Sequence, residues 1–171
     1  MKIEAQIVDI TTLAVDAIVN AGNPELTVGG GVCGAIHRKA GPRLAHACTL
    51  VAPCPTGQAR LTPGFDLPAR FVIHAVGPVW RGGYAGEADL LAGAYRSALD
   101  LARSEGLKSI AFPAISTGIF GYPVKAATSI AVAAVRGAAA HPWSLERVLF
   151  ACFDAAVLEA YAEEGIPNSL G

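Results

Sequence analysis

Short runs of apolar and β-branched residues alternate along the chain with longer stretches in which apolar residues recur every three or four positions. The short runs predict strands and the longer stretches predict amphipathic helices, because side chains repeat every ~2 residues in strands and every ~3.6 in helices. The predicted strands cover residues 2–8, 16–21, 58–62, 70–76, 109–113 and 147–153. The predicted helices cover residues 32–40, 42–51, 87–105, 123–141 and 154–164.

The alternation of strands with helices predicts an α/β fold in which helices cover a sheet. The runs at 109–113 and 147–153 are almost continuously apolar, which is typical of central strands that are buried on both faces. The chain has 171 residues, no internal repeat and no linker-like change in composition. We therefore expect a single domain over residues 1–171.

Composition and charge narrow the class of protein. Hydrophobic residues make up 53% of the chain and charged residues 16%, which excludes a disordered chain. The net charge is −1 and the basic residues are scattered, so nucleic acid is not an expected partner. No apolar stretch approaches the ~20 residues that span a bilayer, and no basic segment precedes a long apolar run near Met1. We expect a cytoplasmic protein that does not bind membranes.

The four cysteines show neither a CxxC pair nor a spacing that supplies four metal ligands. A chain this apolar has little need of disulfides, so we expect free and mostly buried thiols. We expect no bound metal and no cofactor. The cysteines are Cys33, Cys48, Cys54 and Cys152.

Two glycine-containing loops follow predicted strands and lead into helices, the arrangement in which α/β proteins bind ligands. The first contains Asn-Ala-Gly-Asn-Pro at 20–24 and Gly-Gly-Gly-Val-Cys-Gly at 29–34. The second is Ala-Ile-Ser-Thr-Gly-Ile-Phe-Gly at 114–121, which adds two hydroxyl groups to the backbone amides. Each loop alone is typical of a tight connection, but two at one sheet edge suit a diphosphate held by backbone N–H groups.

Residues 29–34 also match the GxGxxG pattern of dinucleotide-binding proteins. The glycines follow a long loop instead of a strand, and no acidic residue occurs between Glu25 and Asp66 to bind a ribose. A P-loop is excluded as well, since no Lys-Ser or Lys-Thr follows the glycines. The pattern therefore does not indicate either class of nucleotide site.

Two carboxylates, Asp9 and Asp154, directly follow predicted strands and could face one pocket. Either could instead cap a helix, and for Asp154, which precedes a helix, that alternative has equal weight. The adenine 6-amino group is a donor, so a carboxylate at Asp9 would favour adenine over a 6-keto purine. Phe153 could stack on the purine ring.

Five segments follow one another along the chain: Val-Asp-Ile-Thr at 8–11, Asn-Ala-Gly-Asn-Pro at 20–24, Gly-Gly-Gly-Val-Cys-Gly-Ala-Ile-His at 29–37, Val-Gly-Pro-Val-Trp at 76–80 and Ala-Ile-Ser-Thr-Gly-Ile-Phe-Gly-Tyr-Pro at 114–123. Together and in this order they resemble the macro domain family, and the resemblance runs nearly end to end. It is strongest to the bacterial O-acetyl-ADP-ribose deacetylases and mono-ADP-ribosyl hydrolases. The resemblance implies a three-layer α/β/α sandwich with a mixed, mostly parallel central sheet.

The resemblance also implies roles for individual residues. Asp9 would bind the adenine amino group, Ile10 would contact the adenine ring, and Phe153 and Asp154 would lie near the adenosine. On the first loop, which also carries Asn20, the residue implied to hold the distal ribose and support catalysis is Asn23. Gly30, Gly31 and Val32 would pass beside the phosphates and that ribose. The residues implied to close over the diphosphate are Ser116, Thr117, Gly118, Ile119 and Phe120.

Cys33 departs from the family pattern, because hydrolytic members have an aspartate that helps to activate or orient water at this position. A thiol is mostly protonated at neutral pH and is a weak donor, so general-base assistance, typically a factor of about 10²–10⁴, would be lost. Cys33 could instead be a nucleophile with His37, one helical turn away, as its base. A small buried thiol is the more ordinary interpretation, and the pair supplies too few ligands for zinc.

Two functions are compatible with these residues. The first is an enzyme that removes an acyl or ADP-ribosyl group from the distal ribose of ADP-ribose derivatives, including mono-ADP-ribosylated proteins. The second is a non-catalytic reader that binds ADP-ribose through the same two loops. We expect a monomer in either case, and Cys33 is the residue that separates the two functions.

Overall fold

A computed structural model of the chain describes residues 1–141 and 143–169, so residues 142, 170 and 171 of the expected domain lie outside the described residues. Every predicted helix and strand is present, with ends within two residues of the predicted ones. The strands are β1 (Lys2–Ile7), β2 (Ala17–Ala21), β3 (Ala59–Pro63), β4 (Phe71–Ala75), β5 (Ser109–Phe112) and β6 (Arg147–Cys152). The helices are α1 (Gly31–Ala40), α2 (Pro42–Val51), α3 (Glu87–Ser104), α4 (Val124–Ala139) and α5 (Ala155–Glu163).

The six strands form one sheet in the order β1-β6-β5-β2-β4-β3. All neighbouring pairs are parallel except β3 and β4, which are antiparallel, so the sheet is mixed and mostly parallel as expected. The two strands predicted to be central, β5 and β6, are indeed interior strands. None of the helices within residues 1–141 and 143–169 is long and apolar enough to cross a membrane.

Helices cover both faces of the sheet and create two hydrophobic cores. Successive side chains of β2 point to opposite faces, so Val19 packs in the core beneath α3, α4 and α5 while Ile18 packs beneath α1 and α2. All four cysteines are free and buried. The structure therefore confirms the expected three-layer α/β/α sandwich.

Gly41 separates α1 from α2. Its φ of 87° lies in the left-handed region that glycine adopts without strain. Pro42 then occupies the first turn of α2, where its missing N–H has no intrahelical partner to lose. The two residues allow α1 and α2 to follow one another directly on one face of the sheet.

The loop between β4 and α3 folds around the buried carboxylate of Glu87. This carboxylate accepts hydrogen bonds from the backbone N–H groups of Arg81 at 2.9 Å, Gly83 at 2.8 Å and Ala85 at 2.6 Å. Burial raises the pKa of Glu87, but the hydrogen bonds outweigh burial and lower the pKa to about 2. The ionised side chain therefore fixes the loop that leads into α3.

This arrangement predicts a pH-dependent contribution of Glu87 to stability. Because its pKa is lowered from 4.5 to about 2 on folding, the stabilisation is complete above pH 4.5 and is lost as the pH falls toward 2. We expect Glu87→Gln to lower the Tm near neutral pH, and to lower it progressively less in acid. Thermal unfolding across this pH range measures the difference, with Asp89→Asn, an exposed acid in the same helical turn, as the matched control. A Tm difference that is independent of pH would contradict this role.

Candidate functional site

The strand order brings the predicted site segments to one edge of the sheet. Asp9 follows β1, Phe153 follows β6, the loop at 114–121 follows β5, and the loop at 20–34 follows β2. These four strands are adjacent and parallel, so their carboxyl ends lie side by side. Strands are spaced about 4.8 Å apart, so the edge from β1 to β2 extends about 14 Å. An elongated ligand could contact all four segments in order.

The first loop presents unused backbone donors at the start of α1. Among the described residues, the N–H groups of residues 29–33 donate to no protein acceptor. The N-terminus of a helix has this property and also favours negative charge. A Cβ at Gly34 would lie 2.7 Å from the carbonyl oxygen of Gly29, so only glycine permits this tight entry into the helix.

The second loop also presents unused donors. It closes on itself through hydrogen bonds from Gly121 N to the Gly118 carbonyl oxygen at 3.0 Å and from Tyr122 N to that of Ser116 at 2.9 Å. Ser116 has a φ of 69°, a left-handed conformation that is costly for a non-glycine residue and is found at functional sites. Within the described chain, four N–H groups of this loop donate to no protein acceptor. They belong to Ser116, Gly118, Ile119 and Phe120.

The two hydroxyl groups of the second loop differ in their hydrogen-bond partners. The Ser116 hydroxyl is buried and has no protein partner among the described residues. The Thr117 hydroxyl donates to the Ala114 carbonyl oxygen at 2.7 Å and stabilises the turn. The expectation of two hydroxyl donors is therefore wrong for Thr117, because its side chain is used within the loop.

Neighbouring elements hold the second loop in place. The Tyr95 hydroxyl, buried on α3, donates to the Pro113 carbonyl oxygen and accepts from Ile115 N, both at 3.3 Å. A Cβ at Gly77 would overlap the Ser116 hydroxyl oxygen. The loop after β4 can therefore pack this closely against the second loop only because residue 77 is a glycine. Sequence reasoning did not identify Tyr95, since nothing in the pattern of α3 distinguishes it from other core residues.

A cavity of about 250 Å³ lies between the two loops. Most of the residues predicted to bind a ligand on the two loops line this cavity, but Asn20 and Thr117 do not. No charged side chain lines the cavity among the described residues. The side chain of Ile119 reaches across the cavity, since its Cδ1 lies 3.8 Å from the point that a Cβ on Gly30 would occupy. The lining residues are 21–23, 29–33, 77, 113–116 and 118–120.

Thr27 joins Asn23 and Cys33 at one end of the cavity. Asn23 Oδ1 accepts from Thr27 N at 3.0 Å, and Asn23 Nδ2 donates to Thr27 Oγ1 at 2.9 Å. The Cys33 thiol donates to the Thr27 carbonyl oxygen at 3.7 Å and its sulfur accepts from Asn20 Nδ2 at 3.6 Å. Both hydrogen-bonding functions of the thiol are thus occupied by the protein.

His37 is not a partner of Cys33 among the described residues, which removes the support for a nucleophile and base pair. The side chain of His37 is buried, and burial lowers its pKa. In the described ranges 1–141 and 143–169, no group of three or more His, Cys, Asp or Glu side chains could hold a metal ion. The exposed His46 and His141 lie on the surface.

At the other end of the edge, Asp9 caps the short 3₁₀ turn Ile10–Thr12, which the sequence pattern did not predict. Asp9 Oδ1 accepts from Thr11 N at 3.0 Å and from Thr11 Oγ1 at 2.7 Å. These hydrogen bonds from Thr11 lower the pKa of Asp9 and keep it ionised. Among the described residues Oδ2 has no partner, so it can accept a hydrogen bond from a ligand.

The other three residues predicted to lie near the adenosine have different environments: one caps a helix, one is buried in the core and one is exposed. Asp154 caps α5 by accepting from Val157 N at 3.1 Å, which is the alternative raised by its position before a helix. Ile10 is only 4% exposed and belongs to the core beneath α1 and α2. Phe153 is 92% exposed, so its ring is available for stacking.

Comparison with known proteins identifies relatives of high similarity. The Macro domain family model matches residues 19–131. A macro domain-containing protein of Chlorobaculum tepidum is 56% identical over 153 residues, covering 90% of this chain and 89% of that protein. A protein of Klebsiella pneumoniae named O-acetyl-ADP-ribose deacetylase is 54% identical over 160 residues, covering 90% of this chain and 91% of that protein.

Solved structures show the same fold. The Oceanobacillus iheyensis macrodomain with ADP has a TM-score of 0.90 and 40% identity, covering 95% of this chain and 88% of that one. The Trypanosoma brucei macrodomain in complex with ADP-ribose has a TM-score of 0.89 and 44% identity, covering 95% of this chain and 68% of that one. With a family match over most of its length and relatives above 50% identity, the chain belongs to the macro domain family.

Proposed function

We propose that this protein binds ADP-ribose along the carboxyl edge of β1, β6, β5 and β2 and hydrolyses ADP-ribose derivatives at the distal ribose. The observation that carries the proposal is the pair of loops that flank one cavity: among the described residues, several of their N–H groups donate to no protein acceptor and no charged side chain lines the cavity. Relatives named O-acetyl-ADP-ribose deacetylase and a related macrodomain in complex with ADP-ribose support it. Mono-ADP-ribosylated proteins are further candidate substrates. We also still predict that the protein is cytoplasmic and monomeric.

The diphosphate would bind between the two loops. Residues 29–33 supply the N–H groups of a helix N-terminus from one side, and residues 116–120 supply loop N–H groups from the other. Such donors hold phosphate oxygens without a basic side chain or a metal ion.

The adenine would lie at Asp9. Its free Oδ2 can accept a hydrogen bond from the 6-amino group, while Oδ1 remains engaged with Thr11. The exposed ring of Phe153 is available to stack on the purine. Ile10 would contribute through the small part of its side chain that is not buried in the core, and Asp154 would act by capping α5.

The distal ribose would lie at Asn23 and Cys33. Solved variants of the Oceanobacillus iheyensis macrodomain replace an asparagine, a glycine and an aspartate that follow one another at intervals of seven and three positions. Asn23, Gly30 and Cys33 have the same two intervals. This agreement supports the assignment of Cys33 to the aspartate position.

The thiol of Cys33 is the observation that supports the second function, a reader that binds ADP-ribose without hydrolysing it. A water molecule that attacks the substrate must lose a proton, and the Cys33 thiol already donates its own hydrogen to the Thr27 carbonyl oxygen. Catalysis would then depend on Asn23 and on a water oriented by the substrate. A protein that binds ADP-ribose without turnover is therefore the second candidate function.

One NMR time course separates these functions. O-acetyl-ADP-ribose is mixed with a molar excess of the protein. The line width of the ligand signals and the amount of released acetate are followed in the same sample. Broadened ligand signals with acetate release above the protein-free rate are the result we expect. Broadening without acetate would leave only the reader function, and sharp ligand signals at all concentrations would contradict the proposed function.

The same assay with Cys33→Asp tests the role of the thiol. We expect the restored carboxylate to raise turnover by about 10²-fold or more, because general-base assistance is typically of this size. Cys33→Asn, which has the same shape but no basic group, is the matched control. No gain in an aspartate variant that still binds would show that the missing carboxylate does not limit the reaction.

The second loop offers a substitution that blocks the ligand while sparing the fold. A Cβ at Gly118 meets no protein atom within 4 Å, and the residue lines the cavity. We expect Gly118→Leu to fold normally and to weaken ADP-ribose binding by at least about tenfold through steric clash. Titration calorimetry measures the affinity. Gly137→Leu, equally unobstructed but on α4, is the control, and normal binding by the Gly118 variant would exclude the loop from the site.

Base recognition by Asp9 is tested with two ligands. Asp9→Asn keeps an oxygen for Thr11 but places an amide donor opposite the adenine amino group, so we expect ADP-ribose affinity to fall by about tenfold. Inosine diphosphate ribose, whose 6-keto group is an acceptor, should lose less affinity or gain some. Titration of both ligands against both proteins measures the change in preference, and equal changes for the two ligands would remove Asp9 from the base site.

A further inference from the structure

A continuous chain of buried polar groups leads from the edge strand β3 to the cavity wall. Thr62 Oγ1 on β3 lies 2.9 Å from His74 Nε2 on β4. His74 Nδ1 lies 3.0 Å from Asn20 Nδ2 on β2, and the same Nδ2 donates to Cys33 Sγ at 3.6 Å. Thr62, His74, Asn20 and Cys33 are each at most 5% exposed.

The chain continues from Cys33 to the proposed ribose site. The Cys33 thiol donates to the Thr27 carbonyl oxygen, and Thr27 exchanges hydrogen bonds with the side chain of Asn23. His74 and Asn23 are therefore connected by contacts through Asn20, Cys33 and Thr27. Because the cavity lining includes both Cys33 and Asn23, the last part of this chain forms the cavity wall.

The hydrogen positions along this chain of polar groups are assigned step by step from its Cys33 end. The thiol hydrogen of Cys33 is directed to the Thr27 carbonyl oxygen, and Asn20 Nδ2 approaches the sulfur as a donor. The second hydrogen of Nδ2 then points to His74 Nδ1, which must accept. A neutral imidazole that accepts at Nδ1 carries its hydrogen on Nε2 and donates it to Thr62 Oγ1.

The charge state of His74 agrees with this assignment. Burial lowers the pKa of His74, and the nearby His37 lowers it further, to about 3. The ring is therefore neutral at physiological pH. Cys48 Sγ also lies near this end of the ring, 3.7 Å from Nε2.

We propose that His74 is a positioning residue of the ADP-ribose site: its Nδ1 fixes the amide of Asn20, Asn20 in turn holds Cys33, and the Cys33 thiol holds the Thr27 carbonyl oxygen beside Asn23. The proposal rests on the proposed function for its effect on ligand binding. Its structural part, the direction of the hydrogen bond between Asn20 and His74, is independent of any ligand. A histidine that only stabilises the sheet would make the same contacts but would not affect the ribose end of the cavity.

Two substitutions separate the positioning role from stability. In His74→Asn the side-chain oxygen replaces Nδ1 as the acceptor for Asn20, and the donor to Thr62 is lost. In His74→Gln the side-chain nitrogen replaces Nε2 as the donor to Thr62, and the acceptor for Asn20 is lost. Asparagine is the smaller residue and leaves the larger void, so His74→Asn is expected to have the lower Tm.

Titration calorimetry with ADP-ribose, at a temperature where circular dichroism shows all proteins folded, tests the proposal. We expect His74→Gln to bind about tenfold more weakly than wild type and His74→Asn to stay within about threefold, opposite to their order of Tm. Thr62→Val, which removes the hydroxyl but leaves Nδ1 with Asn20, is the control and should bind normally. Affinities that follow the Tm values, or that are unchanged in both variants, would overturn the proposal.

NMR of the wild-type protein keeps the inference testable if the variants do not fold or if no ligand binds. We expect the imidazole ¹⁵N shifts of His74 to show hydrogen on Nε2, together with two separate, slowly exchanging Nδ2 hydrogens for Asn20. Hydrogen on Nδ1 would overturn the inference. Failure of wild type to bind ADP-ribose would contradict the proposed function instead, so the two failures are distinguishable.

Discussion

The parallel pairing of β1, β6, β5 and β2 is the constraint on which the rest of the site depends. It brings the carboxyl ends of four strands to one edge, although the segments that follow them are up to 145 residues apart, from Asp9 to Asp154. The hydrophobic cores on both faces hold these strands in register. The loops at the edge are thereby placed in the order adenine, diphosphate and ribose in our proposal.

The loops can bind an anion because their backbone groups are incompletely used. A helix begins with N–H groups that lack intrahelical partners, and α1 begins directly at the cavity. The second loop, strained at Ser116, leaves further N–H groups free among the described residues. Backbone donors carry no net charge, so the cavity can be uncharged and still suit a diphosphate.

The sequence predicted the elements and the two loops because these depend on local signals. Apolar periodicity located the strands, and the glycine clusters at 29–31 and 118–121 located the loops. The contacts within the site depend on residues far apart in sequence, such as Asn20 with His74 and Tyr95 with Pro113. Neither partner carries a local pattern that reveals the other, so these contacts required the structure.

Local signals were also insufficient where one residue could serve two purposes. Asp9 and Asp154 both cap helical turns, yet the 3₁₀ turn at Asp9 is too short to produce a helical period in the sequence. Thr117 resembled a free donor, but its hydroxyl is used inside its own loop. In each case the polar group first satisfies the backbone nearby, and only the atoms left over are available to a ligand.

A crystal structure of the protein with ADP-ribose tests the central claim most directly. Our account predicts adenine at Asp9, the diphosphate between the N–H groups of residues 29–33 and 116–120, and the distal ribose at Asn23. The molecule also has a groove of about 590 Å³ between α3 and α4, lined in part by Arg96 and Arg103. ADP-ribose bound in that groove, with its phosphates on the arginines and the sheet edge empty, would contradict the account.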